Sequence, residues 1–486
     1  MNTSTDSQFV TGTRTNGEHA VTIDPPALPA SKLARLTGKP NGTWTVDDLV
    51  TLVREEGIRL ISLMHVGGDG WLKTLDFAPR DESHLRDILT GGERCDGSSI
   101  FGMMGINAGA SDIILRPRVE SAFLDPFADE PVLVLLCGHC GRDGKPLVES
   151  PDTIVRLAVE RLKRETGIEL QALGEVEYFL GKRPSDEDVY GSDDRGYHAS
   201  SPFVFGEDLR RAALAILAEM GVPIKYGHSE VGYIPAGEKE NRIWEQHEIE
   251  MHLQPLPQAA DAVVLTQWVL RNLAHAQGMR VSFEPVVRQG HAGNGLHFHC
   301  SPTVNGQNLS LGKTNEQMPA AAKWLIGGLV RYGGVLMAFG NREGSSFLRL
   351  SQAKEAPSAV TWGRYNRKAL VRIPIVATDE HGRQVSPETI EFRLSDGSAH
   401  PHLLLAGIAQ VMTAGKSIPD IDKWLYDTEA GQTQGADHGA TIPKGFDDVA
   451  VALRSARAVF EAGQVFPAHV LDRTIEGLER QKALIL

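Results

Sequence analysis

Cysteine is scarce: four residues in 486, too few for a disulfide framework at this length. Two of them form Cys137-Gly-His-Cys140, the spacing of a redox pair. However, an apolar run, Pro131 to Leu136, leads in and the turn Gly141-Arg-Asp-Gly-Lys145 leads out. A reactive first thiol needs a helix N-terminus, and on a strand residues three apart face opposite sides, so these read as ordinary strand cysteines. No apolar run approaches the roughly 18 residues that span a bilayer, and the start, MNTSTDSQFVTG, lacks a basic-then-apolar leader pattern. A cytoplasmic protein without a membrane partner is expected. Positive charge is also in deficit, with 49 Lys and Arg against 62 Asp and Glu and a net charge of -13. Such a surface repels phosphate backbones, which argues against nucleic acid as a partner. Nucleotide-binding fingerprints are missing too: the nearest, Gly306-Gln-Asn-Leu-Ser-Leu-Gly312-Lys-Thr, has one residue too many between its glycines. There is no internal repeat.

What is present is enough apolar material, 41% of residues, for a large core in two or more units. Residues 1–43 are rich in Ser, Thr, Asn, Gly and Pro and are expected to form a disordered or extended tail. Residues 44–145 read as a small mixed domain, with a helix over Thr45 to Glu56 and a strand over Ile58 to Leu63. Residues 146–486 follow. Ser150-Pro-Asp predicts a helix start, with apolar Ile154, Leu157 and Ala158 on one face and Gly167 as the stop. Further helices are predicted over Asp208 to Met220, Ala259 to Gln277 and Ala320 to Ala338, with alternating strand-like stretches between them. This is an α+β pattern, helices backing an antiparallel sheet. The acidic run Asp186 to Asp194 reads as a solvated loop.

Three predicted strands carry polar pairs at i and i+2, which share a face, while the alternate positions are apolar. They are Glu175 and Glu177, His297 and His299, and Glu391 and Arg393. Any one pair is explained by a strand face open to water. Three together, joined by Glu230 in Gly227-His-Ser-Glu and Glu248 in Glu245-Gln-His-Glu, describe a cavity with too many carboxylates to coexist without cations. Mostly oxygen donors with an imidazole suit Mg²⁺ or Mn²⁺. The stretches Phe347 to Pro357 and Tyr365 to Pro374 add arginines. Arginines beside a divalent-metal site suit phosphoryl transfer, which is mostly positioning and charge neutralisation.

In order along the chain, Asp96-Gly-Ser-Ser, Glu175-Val-Glu, the Glu230 and Glu248 segment, Gly295-Leu-His-Phe-His, Asn366-Arg with Arg372-Ile-Pro, and Ile390-Glu-Phe-Arg resemble the glutamine synthetase family. The resemblance implies a β-grasp-like N-terminal domain and a larger catalytic domain with a curved antiparallel sheet. It implies glutamate, ATP, and ammonia or an amine as small-molecule substrates. It also implies two or more Mg²⁺ or Mn²⁺ ions per site, and a homo-oligomer, a ring, with sites between subunits. Glu177, Glu230 and Glu248 match the ligands of one metal; Glu175, His297 and Glu391 match those of the second. Arg367, Arg372, His299 and Ser301 match ATP contacts, with Arg367 also placed for catalysis. Arg349, Arg393 and Gly293 match the glutamate site. Glu355 matches a flap that shields the intermediate, and Asp96, Tyr197 and Glu230 match the ammonium pocket, Asp96 coming from the neighbouring subunit.

The sequence also departs from that family. Tyr233 to Trp244 looks inserted, so that Glu238 fits the metal position counted from upstream and Glu248 fits it counted from downstream; the Gln-His-Glu context favours Glu248. Ala292 stands where an asparagine is usual and Thr389 where an arginine is usual. Glu476 to Leu486 lacks a ring-locking tail, which leaves stacking of rings open. Tyr426 resembles a tyrosine modified in some members, though a surface tyrosine is the simpler reading.

Overall fold

The computed structural model describes residues 31–185, 188, 195–237, 240–309, 317–352, 356–430 and 441–481. Two sheets organise them. The first contains β1 (Leu60–Val66), β2 (Leu72–Phe77), β3 (Glu93–Asp96), β4 (Asp112–Pro117), β5 (Phe123–Leu124) and β6 (Val132–Cys140), in the order β2-β1-β6-β4-β3 with β5 on β6. Strands β1 and β6 run parallel; the other pairings are antiparallel. Helices α1 (Lys32–Thr37), α2 (Val46–Glu55), α3 (Glu82–Gly91) and the short α4 (Gly97–Phe101) accompany it. Thr45 caps α2 reciprocally with Asp48, so the expected helix start is one residue early.

Helix α1 corrects the expected tail over 31–43. Ser31 accepts a hydrogen bond from the Ala34 amide, Leu33 and Ala34 are buried against the first sheet's core, and Arg35 pairs with Glu219 at 2.8 Å. A six-residue helix holds only through such contacts, which average composition cannot register. Residues 1–30 lie outside the described residues.

The second sheet has ten strands: β7 (Glu169–Lys182), β8 (Ile224–Ile234), β9 (Ile243–Met251), β10 (Gln254–Pro255), β11 (Arg280–Ser282), β12 (Leu296–Val304), β13 (Gln307–Asn308), β14 (Ala359–Arg364), β15 (Ala369–Ile373) and β16 (Ile390–Phe392). Its main path is β14-β15-β16-β12-β7-β9-β8, antiparallel except between β14 and β15. The helices are α5 (Pro151–Thr166), α6 (Glu207–Glu219), α7 (Leu256–Ala276), α8 (Ala320–Gly340), α9 (Gly344–Gln352), α10 (Pro401–Gly415), α11 (Ile421–Thr428), α12 (Phe446–Glu461) and α13 (Ala468–Arg480). The alternate residues Val176, Tyr178, Leu296, Phe298, Ile390 and Phe392 are buried in one core with residues of α7, α8 and α10. Glu177, His297, His299, Glu391 and Arg393, each one residue on, therefore face the other way, toward the site, while Phe179 after Tyr178 packs in a small cluster with Ile234 and Trp244.

Local signals behave as physics requires. Helix α5 starts after Ser150 with Pro151 in its first turn and ends at Gly167, whose φ of 73° suits a residue without a Cβ. Residues 304–307 make a hairpin turn between β12 and β13, with Asn305 and Gly306 at positive φ; the loop beginning at Gly306 is thus a strand connection, and 310–316 lie outside the described residues. So does most of the acidic run 186–194, of which Asp188 pairs with Lys182 at 2.5 Å. Cys137 and Cys140 are free and buried on β6, where burial pushes the Cys137 thiol up. Among the described residues no helix is long and apolar enough to cross a membrane.

Candidate active site

The register of the second sheet sets the site. Across β7 and β12, Glu175 lies opposite His297; across β12 and β16, His299 lies opposite Glu391; across β15 and β16, Arg372 lies opposite Glu391. On the other side, Glu175 faces Glu250 and Glu177 faces Glu248, with His228 opposite Glu248 on β8. Cross-strand partners on one face have Cβ atoms about 5 Å apart, so this ladder delivers charged groups to one place. They surround a cavity of about 370 Å³ lined by Glu175, Glu177, Tyr197, Tyr226, His228, Glu230, Gln246, Glu248, Ala292, Gly293, His297, Arg349, Arg367, Arg372 and Arg393.

At one end Glu175 lies between the two histidines, 2.9 Å from His297 Nδ1 and 2.9 Å from His299 Nε2. Burial pushes its carboxyl up, but the two imidazoles outweigh this and hold it well below the usual range. Glu391, fully buried, takes hydrogen bonds from Arg372 and Arg393. Its carboxyl is also lowered, the arginines and His299 overcoming burial. His297 Nδ1 is 3.7 Å from Glu391 and 3.9 Å from Glu177. At the other end, burial and then the charges of Glu175, Glu177, Glu230 and Glu250 push the Glu248 carboxyl well above its usual range.

Donor atoms of Glu175, His299 and Glu391 lie within 4.8 Å of one another, as do those of His228, Glu230 and Glu248, and of Glu175, Glu248 and Glu250. Buried carboxylates that repel one another, with imidazoles among them, fit a divalent cation. The trio with Glu175 and Glu391 includes His299, which the resemblance matched to an ATP contact, although His297 is as close to both carboxylates, and His228 joins Glu230 and Glu248. Glu177 instead accepts from the Gly295 amide at 2.7 Å and Gln246 Nε2 at 3.1 Å.

Residues 149–477 match the family described as glutamine synthetase, catalytic domain, and residues 57–139 match glutamine synthetase, β-grasp domain. The chain belongs to the glutamine synthetase family. It is 29% identical over 469 residues to a glutamine synthetase of Azospirillum brasilense, covering 89% of this chain and 94% of that one. It is 30% identical, at the same coverage, to a protein of Cupriavidus pinatubonensis named 3-hydroxylaminophenol mutase. The fold is similar to a cryo-EM structure of Plasmodium falciparum glutamine synthetase, with a TM-score of 0.74 at 18% identity, covering 90% of this chain and 95% of that one. It is also similar to an apo structure of GmaS, with a TM-score of 0.70 at 20% identity, covering 88% and 94%. Family membership makes this chain a glutamate–ammonia ligase or a related ligase, of a kind that uses ATP and a divalent metal.

Against this glutamine synthetase frame, the remaining residues fall into three groups. In the cavity wall, Arg349 is buried, which lowers its pKa, and its guanidinium reaches the Leu394 carbonyl at 3.2 Å and His297 Nε2 at 3.3 Å. Gly293 sits where a Cβ would meet the Pro285 carbonyl at 2.2 Å, so only glycine fits. The Tyr197 ring stacks on His198, with centroids 4.2 Å apart. Just behind the wall are His299, bonded through Nδ1 to Thr389 at 2.8 Å, and Ser301, which donates to Asn308 at 2.8 Å. Neither lines the cavity.

Asp96 is not among the residues that line it. It is exposed at the start of α4, where the hydroxyls of Ser99 and Ser98 hold its carboxyl far below the usual range. Glu355 and Glu238 lie outside the described residues. Tyr426 is 63% exposed on α11. The sequence reading passed over His228, 3.4 Å from Glu248 and 3.6 Å from Glu230, together with Glu250 and Gln246. The i, i+2 rule applied outward from Glu230 and Glu248 reaches all three.

Proposed function

We propose that this chain joins L-glutamate to ammonia, using ATP, through a γ-glutamyl phosphate. The observation that carries the reading is one cavity in which a carboxylate and imidazole floor faces Arg349, Arg367, Arg372 and Arg393. That is a site for two anionic substrates and the cations that neutralise them. Arg349 and Arg393 hold glutamate; Arg367 and Arg372 hold the nucleotide phosphates, with His299 and Ser301 supporting that side. Mg²⁺ or Mn²⁺, held by Glu175, His297 and Glu391 and by Glu177, Glu230 and Glu248, would supply neutralisation of the transferring phosphoryl group.

The γ-carboxylate oxygen attacks the γ-phosphorus and ADP leaves. Ammonia then attacks the acyl carbon and inorganic phosphate leaves, the carboxylate having become an acyl donor only through phosphorylation. Ammonium must first lose a proton, and Asp96 of a neighbouring copy in a homo-oligomeric ring is the acceptor, with Tyr197 and Glu230 forming the pocket. That Asp96 does not line its own chain's cavity supports a site shared between subunits. Glu355 serves the flap that keeps water from the acyl phosphate.

A second reading, an organic amine as nucleophile, is favoured by one feature: the rings of Tyr197, His198, His228 and Tyr226 cluster beside Glu230, each 4.2–5.9 Å from the next in that order. Phosphate release from Mg-ATP plus glutamate, with ammonium and then a panel of small primary amines, separates the two by kcat/KM. Ammonium ahead is expected. An organic amine at least tenfold ahead transfers the assignment to γ-glutamylamide synthesis, and no release with any amine ends both readings.

A further inference from the structure

One neutral amide stands among the charged groups of the catalytic cavity and has no part in the reaction as given above. Gln246 is 2% exposed on β9, two residues before Glu248 and so on the same face. Its Nε2 lies 3.1 Å from Glu177 Oε2, 3.0 Å from the Gly293 carbonyl and 3.3 Å from Asn294 Oδ1. Which end of the amide is the nitrogen follows from the surroundings. Asn294 donates through Nδ2 to the carbonyls of Ser282 and Glu284, at 3.2 and 2.9 Å, so its oxygen must face Gln246. A carboxylate and two amide oxygens then converge on one point, which a donor alone satisfies. The opposite end, Oε1, lies against Gly232, where a Cβ would come within 2.6 Å of it. That glycine leaves the room the glutamine occupies.

The acceptors belong to different parts of the site. Glu177 Oε2 takes this bond and that of the Gly295 amide at 2.7 Å, while Oε1 stands 3.9 Å from His297 Nδ1. One carboxylate oxygen is thus tethered and the other is available to a cation. Gly293 leads to glutamate: a Cβ there would touch Arg349 Cγ at 3.2 Å, so the stem of that arginine lies directly against it. A single buried amide therefore connects a carboxylate given to the metal with the wall given to glutamate. Groups one bond behind a metal ligand typically change metal affinity by about 10–100-fold when removed.

We propose that Gln246 is a positioning residue: it fixes Glu177 for the cation and the Gly293 and Arg349 wall for glutamate. The inference rests on the metal and glutamate roles proposed above and adds the residue through which the two are held together.

Gln246→Met keeps the length of the side chain and removes the donor. Mn²⁺ titration of the full-length protein followed by EPR, without glutamate or nucleotide, should show one class of ions weakened at least fivefold and another within twofold of the parent. In steady state the KM for glutamate should rise at least fivefold while that for Mg-ATP stays within twofold, a split that general loosening of the cavity does not produce. Gly232→Ala, which crowds Oε1 and leaves the donor in place, should move both quantities in the same direction, and carries the test if Gln246→Met does not fold. The proposal is overturned if Mn²⁺ binds the variants as tightly as the parent, if every class of ion weakens equally, or if the two KM values rise together. Absence of phosphate release by the parent with every amine overturns the reaction itself; the Mn²⁺ titration needs no turnover and stays decisive for Gln246.

Discussion

At the Glu391 end of the catalytic cavity the protein neutralises its own carboxylates: Glu391 has two arginines and Glu175 has two histidines. At the Glu248 end the nearest cationic candidate is His228, at 3.4 Å, and burial lowers the pKa of that imidazole, favouring its neutral form. Lys225 serves Glu250 at 2.6 Å rather than Glu248. Two ends of one sheet face, built from the same residue types, therefore depend on different sources of positive charge. At the first, side chains already balance much of the charge that a cation would meet; at the second, the balance must come from ions in solution. Folding and metal loading should respond to mutation in opposite directions at the two ends.

The largest effect is expected from Arg393→Met, which leaves Glu391 buried with half of its compensation. Metal-free stability should fall by about 3–5 kcal/mol in urea unfolding; an unchanged midpoint would break the comparison at once. Next is Glu248→Gln. Removing one of several repelling carboxylates should raise metal-free stability by about 1 kcal/mol, while the gain from Mg²⁺ or Mn²⁺, about 2.7 kcal/mol for the parent at 100 times the dissociation constant, should shrink by more than half.

The same residue predicts a pH dependence. Glu248 is raised in the folded protein, so its contribution to metal-free stability is complete below the unfolded value near 4.5 and is lost as pH rises through the folded value. Chelator-treated protein should weaken upward from about pH 4.5, and Glu248→Gln should flatten that limb; a parallel loss in both proteins would assign it elsewhere. The smallest effect is at the Glu391 end. Thr389→Val removes the partner of His299 Nδ1 and should lower stability by about 1 kcal/mol, with the metal response reduced less than in Glu248→Gln. A loss of metal response as large as that of Glu248→Gln would show that the two ends do not differ in their source of positive charge.

Much of this site is legible along the chain because strand alternation is a local property. Glu175 with Glu177, His297 with His299, and Glu391 with Arg393 sit between apolar residues that must turn inward, so their common face follows from period 2 alone. Strand β9 resists the same reading. Every residue of Ile243–Met251 is buried, and polar groups occupy both of its faces. Glu248 and Glu250 serve the cavity, while Glu245 and His247 join a buried cluster with Arg210 and the Gly206 amide. A strand polar on both sides shows no alternation, and its turn then looks like an insertion. Tyr233 and Ile234 in fact pair with Glu245 and Trp244, leaving 235–242 as the connection. Helix α1 was hidden for another reason: its two buried apolar residues acquire meaning only from the sheet they cover. Asp96 shows the limit from the other side, a residue whose motif is plain but which does not line its own chain's cavity.

The β8–β9 connection has a consequence for how such a protein can change over generations. Glu248 is held by ladder pairing to Glu177 and His228, on strands that continue past it toward the turn. Residues can be added or lost between 235 and 242 with the donor left in place, because the ladder absorbs nothing from the loop. A single residue gained inside β7 would instead turn every donor beyond it to the opposite face. Lineages are thus free to experiment with length at the rim of the cavity while the positions of the charged groups are inherited unaltered.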